Sequence, residues 1–260
     1  MSDLLAASTL WHREIVRFHR QPARVLGAVG MPVLFWALIG SGLSGSFRLP
    51  GGPEDLDYLE YFFPGTIVMM VLFAAIFSTF SIIDDRNEGF LQGVLVAPVR
   101  RSALVAGKVI GGASLAWIQG MLFLVLAPVA GIPLTLRSGL AVAGVMAVMA
   151  VALTAFGFAF AWRMNSTQGF HAVMNLILMP MWFLSGAIFP LSGAPGWLDW
   201  VMRLNPLTYG TAALRRVLYA EMPLSGQSLP SLSLSLSVML IWALAALMMD
   251  VWLVRRTGSP

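Results

Sequence analysis

Six apolar runs, at roughly 25–44, 62–83, 103–129, 139–162, 169–190 and 232–254 of the 260 residues, decide what this chain can become. Each approaches or exceeds the about 20 residues that a helix needs to cross hydrocarbon. Lipid offers no partner for backbone N–H and C=O groups, so the runs are expected to close their hydrogen bonds internally as helices. One segment reads differently at first. Ser231-Leu232-Ser233-Leu234-Ser235-Leu236-Ser237 alternates with the period of a strand. An isolated strand in lipid would leave its backbone unpaired, so helix is expected here too. The fold class is therefore an all-α integral membrane protein with six transmembrane helices. The first run is long enough to remain as a span, and no short apolar run ending in small residues suggests a cleaved leader.

The placement of basic residues sets the expected orientation. With the N-terminus inside, eleven basic residues fall on inner segments: Arg13, Arg17, Arg20, Arg24, Arg86, Arg100, Arg101, Lys108, Arg163, Arg255 and Arg256. Five fall outside: Arg48, Arg137, Arg203, Arg215 and Arg216. Both termini are thus expected in the cytoplasm, in a multi-pass protein of the plasma membrane (the inner membrane of a bacterium). The net charge is only +4, and the arginines flank apolar runs instead of clustering. Lipid headgroups are then the expected anionic partner, and nucleic acid is not.

Between the second and third runs lies a polar island. Asp84, Asp85, Arg86, Glu88 and Arg100 occur within 17 residues of a chain that is 11% charged. Such a segment is not expected in hydrocarbon; it reads as an inner loop over 84–101 whose make-up suits docking more than plain connection. Residues 1–24 form a second polar element. Trp11, Ile15 and Phe18 recur at helical spacing, and Arg13, Arg17, Arg20 and Arg24 recur on the opposite face. This pattern predicts an amphipathic helix at the inner leaflet, with Trp11 at headgroup depth and the arginines toward phosphates and water.

The segment 190–230 carries apolar pieces too short to cross. Trp197, Leu198, Trp200, Val201 and Met202 make one short unit, and Asn205-Pro206 opens another. Asn suits the cap and Pro the first turn. Leu207, Ala213, Leu214, Val217 and Leu218 give the second unit an apolar face, with Arg215 and Arg216 supplying polarity. An outer-leaflet helical hairpin that re-enters the bilayer is expected. The acids of the first outer loop, Glu54, Asp55, Asp57 and Glu60, do not match a calcium-loop spacing and read as a solvated loop.

The chain holds no cysteine, no HExxH and no GxSxG, and three histidines, His12, His19 and His171. Gly107-Lys108 resembles the tail of a phosphate-binding loop, yet position 102 is Ser where that loop needs Gly, which excludes nucleotide hydrolysis by that route. The middles of the six runs contain no ionisable residue, which disfavours an ion-driven pump. Lys108, His171 and Asp250 lie near the inner ends, where their side chains are expected to reach water. Gln119 and Asn175 are the main amides within runs. Gly107 and Gly111 form a GxxxG pattern, a candidate for close helix approach. A membrane-embedded lipid enzyme would need a polar cluster at one depth. A non-transporting membrane anchor or assembly component would need no partner-driven motion.

Three stretches carry a family likeness: Glu88-Gly89 with Leu95-Val96-Ala97-Pro98; Phe183-Leu184-Ser185-Gly186 with Phe189-Pro190; and Leu204-Asn205-Pro206-Leu207-Thr208-Tyr209 with Leu214-Arg215. In this order and topology the chain resembles permeases of the ABC-2 type, similar to nodulation-factor and daunorubicin-type exporters. Phe90 and Gln92 depart from it, standing where the family often has a small hydroxyl residue and an acid. The resemblance implies a single transmembrane domain over 1–260 that pairs with a second copy, as a homodimer, and with two cytoplasmic ABC ATPase subunits. ATP and Mg would be bound by those subunits, and this chain would hold no cofactor, no metal and no catalytic residue. Residues 84–101 would hold a coupling loop or helix inserted in a groove of the ATPase, with Asp85, Arg86, Glu88, Gly89, Pro98, Arg100 and Arg101 as its coupling residues. Trp11, Arg13, Arg17 and Arg20 would lie on the interface helix. Trp197, Asn205, Pro206, Tyr209 and Arg215 would belong to the outer hairpin. The implied activity is export of a drug-like amphipath, a lipid or a lipid-linked glycan.

Overall fold

The computed structural model describes residues 3–20, 22–43, 57–190, 195–220 and 229–256. Helices α1 (Asp3–His19) and α2 (Pro22–Leu43) open the chain. Helices α3 (Tyr58–Ser78) and α4 (Phe80–Asn87) follow almost end to end. At their junction Ser78 and Thr79 donate back to the carbonyls of Ala75 (2.7 Å) and Ile76 (2.6 Å), which tightens one turn without ending the rod. Helix α5 (Phe90–Val96) and helix α6 (Arg101–Leu124) come next. Gly89 turns the chain between α4 and α5 with φ of 77°, a left-handed conformation that costs glycine least.

The later helices are α7 (Leu136–Arg163), α8 (Thr167–Trp182), α9 (Gly196–Leu204), α10 (Pro206–Leu218) and α11 (Leu232–Arg256). Their starts are legible chemistry. The Thr135 hydroxyl accepts from Ser138 N at 3.1 Å, Ser166 from Gly169 N at 3.2 Å, and the Asn205 side chain from Leu207 N at 3.0 Å. The serine-alternating segment is helical from Leu232 onward, as its lipid setting requires.

Five helical stretches, Tyr58–Asn87, Arg101–Leu124, Leu136–Arg163, Thr167–Ala187 and Leu232–Arg256, are long and apolar enough to cross a membrane. Helix α2 supplies the sixth run: its apolar part is Val29–Leu43, within a helix of 22 residues, about 33 Å at 1.5 Å per residue. The third run was expected to reach 129, but α6 stops at Leu124, because the ring of Pro128 would strike the carbonyl four residues back. A short 3-10 turn, Ala127–Ala130, takes over and ends at Gly131 with φ of 80°. The fifth run also ends irregularly, in a wide turn Phe183–Ala187 where Gly186 adopts φ of 79°.

The polar island, expected as a loop or helix, is largely helical. Asp84, Asp85 and Arg86 form the last helical turn of α4, and a second short helix, α5, carries the chain on. Charge does not exclude helix at the end of a span, where backbone bonds are already closed internally.

Helix α3 is the axis of the bundle, with α2, α6, α7, α8 and α10 packed around it. Helix α11 rests on α7 and α10 at the periphery. The elements alternate in direction, so α1, α4, α5 and the end of α11 share one end of the bundle, called here the α5 end. Helices α9 and α10 lie at the opposite end. Arg24's side chain, Arg48, Glu54 and Asp55 lie outside the described residues.

Candidate functional site

At the α5 end the sequence brings seven charged side chains together, from α1, α4 and α6 and, with Glu88, from the turn after α4. Asp85 is fully buried and sits at their centre. Arg13 Nη1 donates to both of its oxygens, at 2.7 and 2.9 Å, and Arg17 Nη1 donates to Oδ1 at 3.3 Å. Lys108 Nζ donates to the other oxygen, Oδ2, and also to Glu14 Oε1 at 2.5 Å and Ser81 Oγ at 3.3 Å. Arg17 Nη2 reaches Asp84 at 3.0 Å, and Glu88 stands 4.0 and 3.7 Å from Arg13 and Arg17. The ring of Phe90 lies 3.9 Å beneath the Arg13 guanidinium.

The local reasons are plain. Arg13 and Arg17 are four residues apart, hence on one face of α1. Asp84 and Asp85 stand in the last turn of α4, where the helix dipole disfavours anions, and the cations of α1 and α6 offset that. A buried carboxylate or ammonium left alone would be costly; here Asp85, Glu14 and Lys108 satisfy one another.

What lets α1 approach is the GxxxG pattern. A Cβ on Gly107 would lie 2.8 Å from Leu10 Cβ, and one on Gly111 would lie 2.9 Å from Glu14 Cβ. The glycines therefore mark a contact with α1, along its buried row Ala6, Leu10 and Glu14. Trp11 adds a hydrogen bond to Ser114 Oγ at 3.1 Å.

Two expectations are corrected by this geometry. Arg13 and Arg17 turn toward Asp84 and Asp85 instead of outward to lipid phosphates, and Lys108 is buried instead of reaching water. The long side chains find carboxylates nearer than solvent.

The proposed coupling residues divide into two groups. Asp85 and Arg86 face inward. Arg86 donates to Met164 O (3.0 Å), Asn165 Oδ1 (3.0 Å) and Trp162 O (2.5 Å), so it closes the free carbonyls at the end of α7 and ties α4 to the α7–α8 turn. Arg101 holds the end of α5 by a bond to Leu95 O at 2.8 Å. Glu88, Gly89 and Pro98 are exposed together with Val96, while the Arg100 side chain, 82% exposed, meets Asp3 at 3.3 Å. Arg20 is exposed and lines a groove of about 600 Å³ with His12, Arg17 and Glu88.

Inside the same end, Phe73, Phe77 and Phe80 line a cavity of about 380 Å³ with Phe18, Arg17 and Gln119. The ring of His171 packs on Phe77 and Phe80, at 4.7 and 4.2 Å, while the residue stays exposed, as its place near the inner end suggests. Among the described residues no group of His, Asp and Glu is arranged to hold a metal ion.

The opposite end is built from aromatic contacts and caps. Asn205 caps α10 and donates to Met181 O at 2.6 Å, with Pro206 at the first turn. Tyr209 donates to Arg203 O at 3.0 Å, and Trp197 is 71% exposed. Asp199, 2.7 Å from Arg203, holds that guanidinium above its usual range. Helix α10 is wedged among α3, α7 and α11. Arg215 was expected to supply polarity at its surface. It is instead 1% exposed, stacked 4.1 Å over Tyr61, with Nε and Nη1 unpartnered among the described residues. Its neighbours Leu214 and Val217 are buried with it, so the whole helix is embedded, and cation–π contact takes the place of water.

Glu14, Asp84 and Lys108 belong to the charged cluster but not to the sequence-derived site. The signal that could have found them is an acid, Glu14, in register with an apolar row at i, i+4 and i+8.

The family model for the ABC-2 type transporter matches residues 6–219. The chain is 23% identical over 222 residues to the daunorubicin resistance ABC transporter permease protein DrrB1 of Streptomyces coeruleorubidus, covering 82% of this chain and 75% of that one. It is 25% identical over 214 residues to the inner membrane transport permease YadH of Escherichia coli K12, covering 81% and 82%. It is similar over nearly its full length to Nodulation protein J of Rhizobium meliloti, at 23% identity over 264 aligned positions and 96% and 93% coverage.

Proposed function

Because the chain belongs to the ABC-2 type transporter family, we propose that it is the permease subunit of an ATP-driven exporter, coupled to a separate ATPase at its α5 end. Two copies of this chain would pair with two copies of the ATPase, which would bind ATP and Mg. The termini and the α5 end would face the cytoplasm, in keeping with the excess of basic residues there.

The observation that carries this reading is the shared burial of Asp85 by Arg13, Arg17 and Lys108. It joins α1, the α3–α4 rod and α6 into one body whose exposed tip is Glu88, Val96, Pro98 and Arg100. A partner pressing on that tip would move three helices together, and Arg86 would pass the displacement to the α7–α8 turn. Cargo of amphipathic character, whether drug, lipid or lipid-linked glycan, agrees with the phenylalanine-lined cavity that ends in charged Arg17 and Glu14. A relative named for daunorubicin resistance agrees with it as well.

The test is ATP hydrolysis in nanodiscs by the cognate ATPase, with and without this chain, over a panel of amphipathic drugs and lipids. Stimulation by cargo is expected, and Glu88→Arg should abolish it while leaving the bundle folded, because Glu88 is exposed at the tip. An ATPase that neither binds the chain nor responds to cargo sinks the proposal.

A further inference from the structure

Arginines on the outer side of a membrane protein run against the usual bias, so the place of each deserves a reason. Of the four within the described residues, Arg203 pairs with Asp199 and Arg215 is stacked on Tyr61. The other two, Arg137 and Arg216, line one cavity of about 390 Å³ between the start of α7, the end of α10 and the start of α11. Among the described residues no carboxylate lines that cavity, and neither arginine has an acidic partner. Arg216 is oriented by bonds to Pro230 O (2.5 Å) and Leu229 O (2.6 Å), made through Nε and Nη2, and among the described residues Nη1 has no partner. Arg137 is exposed in the first turn of α7, beside the hydroxyls of Thr135 and Ser138.

Two guanidiniums sharing a cavity repel unless an anion lies between them. A phosphate fits best, since planar N–H forks match its oxygens and the positive end of the 28-residue α7 adds to the same field. The remaining wall is apolar, formed by Val217, Leu218 and Leu232. Pro133, Ala141 and Ala220 add to it, giving the cavity an apolar side suited to an acyl chain.

We propose that this cavity holds the phosphate headgroup of an anionic phospholipid, and that the lipid comes from the outer leaflet. Only the choice of leaflet rests on the orientation proposed above; binding itself requires neither transport nor ATPase. The bound lipid would hold the ends of α7, α10 and α11 together, fixing α10 against the bundle.

The experiment is native mass spectrometry of the whole purified chain in a neutral detergent, titrated with phosphatidylglycerol, phosphatidylcholine or inorganic phosphate. Phosphatidylglycerol is expected to be retained in preference to phosphatidylcholine, with binding weakened roughly fivefold for each arginine removed in Arg137→Gln and Arg216→Gln. Arg137→Gln is the decisive variant, because that side chain is exposed and has no ion pair among the described residues. Undiminished phosphatidylglycerol binding in Arg137→Gln, or equal retention of phosphatidylcholine, would overturn the site. Displacement of the lipid by millimolar inorganic phosphate would overturn the assignment to lipid. In proteoliposomes, loss of the bound lipid to an externally added phospholipase is expected for right-side-out protein, and protection there would refute the outer-leaflet source alone.

Discussion

Lys108 is the residue whose removal the charged cluster tolerates least. Its ammonium serves two buried carboxylates at once, and among the described residues no other cation pairs with Glu14. Lys108→Met should lower stability by about 3–5 kcal/mol, the usual cost of stranding one half of a buried pair. Adding Glu14→Gln should recover part of that loss, because one stranded charge is then gone. Thermal unfolding in detergent reads both effects; an unchanged Tm in Lys108→Met would contradict the cluster. Asp250 is the opposite case. It too was expected to reach water, yet it is fully buried on α11 with both oxygens unpartnered among the described residues. Asp250→Leu should therefore be neutral or stabilising by roughly 1–3 kcal/mol, the cost of an unmet buried polar group. Neither burial was legible in the sequence. Near the end of an apolar run a lysine or aspartate ordinarily reaches solvent, and Lys108 stays inside only because Glu14, 94 positions earlier, comes to meet it.

At the level of elements, what was legible is what is decided locally. The Asn205-Pro206 start of α10 was readable because a cap needs only the residues within one turn. The amphipathic character of α1 was readable from its spacing. Its seat was not, because a helix with charge on one face suits a headgroup layer and a charged partner equally well by pattern. The structure seats it on α6 through Gly107 and Gly111. Gly107→Val should push α1 off that surface, costing about 1–3 kcal/mol through overpacking. Detachment would also break the Trp11–Ser114 bond, so the emission of Trp11 should shift, and protease should cut between α1 and α2 more readily. Equal protease resistance in the variant would argue that α1 is held by the ion pairs alone. The departure at Phe90 gains a reason at the same scale: its ring lies under Arg13 and extends the cluster onto α5.

For the molecule as a whole, the two ends are built from different chemistry, and α3 runs between them. At one end ion pairs fasten α1, α4 and α6. At the other, Trp36, Phe63 and Phe123 interlock with ring centroids 4.8 to 5.6 Å apart, and Trp182 donates to Gly65 O at 2.9 Å. The apolar window of α3 is 72% buried within the chain, against 17% for α11, so α11 must be covered by lipid or by another subunit. The nine tryptophans sample this gradient. Trp36 and Trp182 are inside, at 5% and 1% exposure, while Trp197 and Trp200 on α9 are 71% and 67% exposed. Tryptophans of that kind favour the headgroup layer. In single-tryptophan variants reconstituted with brominated lipids, Trp197 and Trp200 should be quenched strongly, and more by bromine near the headgroup than by bromine deep in the chain. Trp182 should be quenched weakly by both, since protein surrounds it on every side. Strong quenching of Trp182 would mean that α8 and α3 part in the bilayer. Deep-bromine quenching of Trp197 would instead draw α9 into hydrocarbon, and α10 would then have to follow it inward with Arg215.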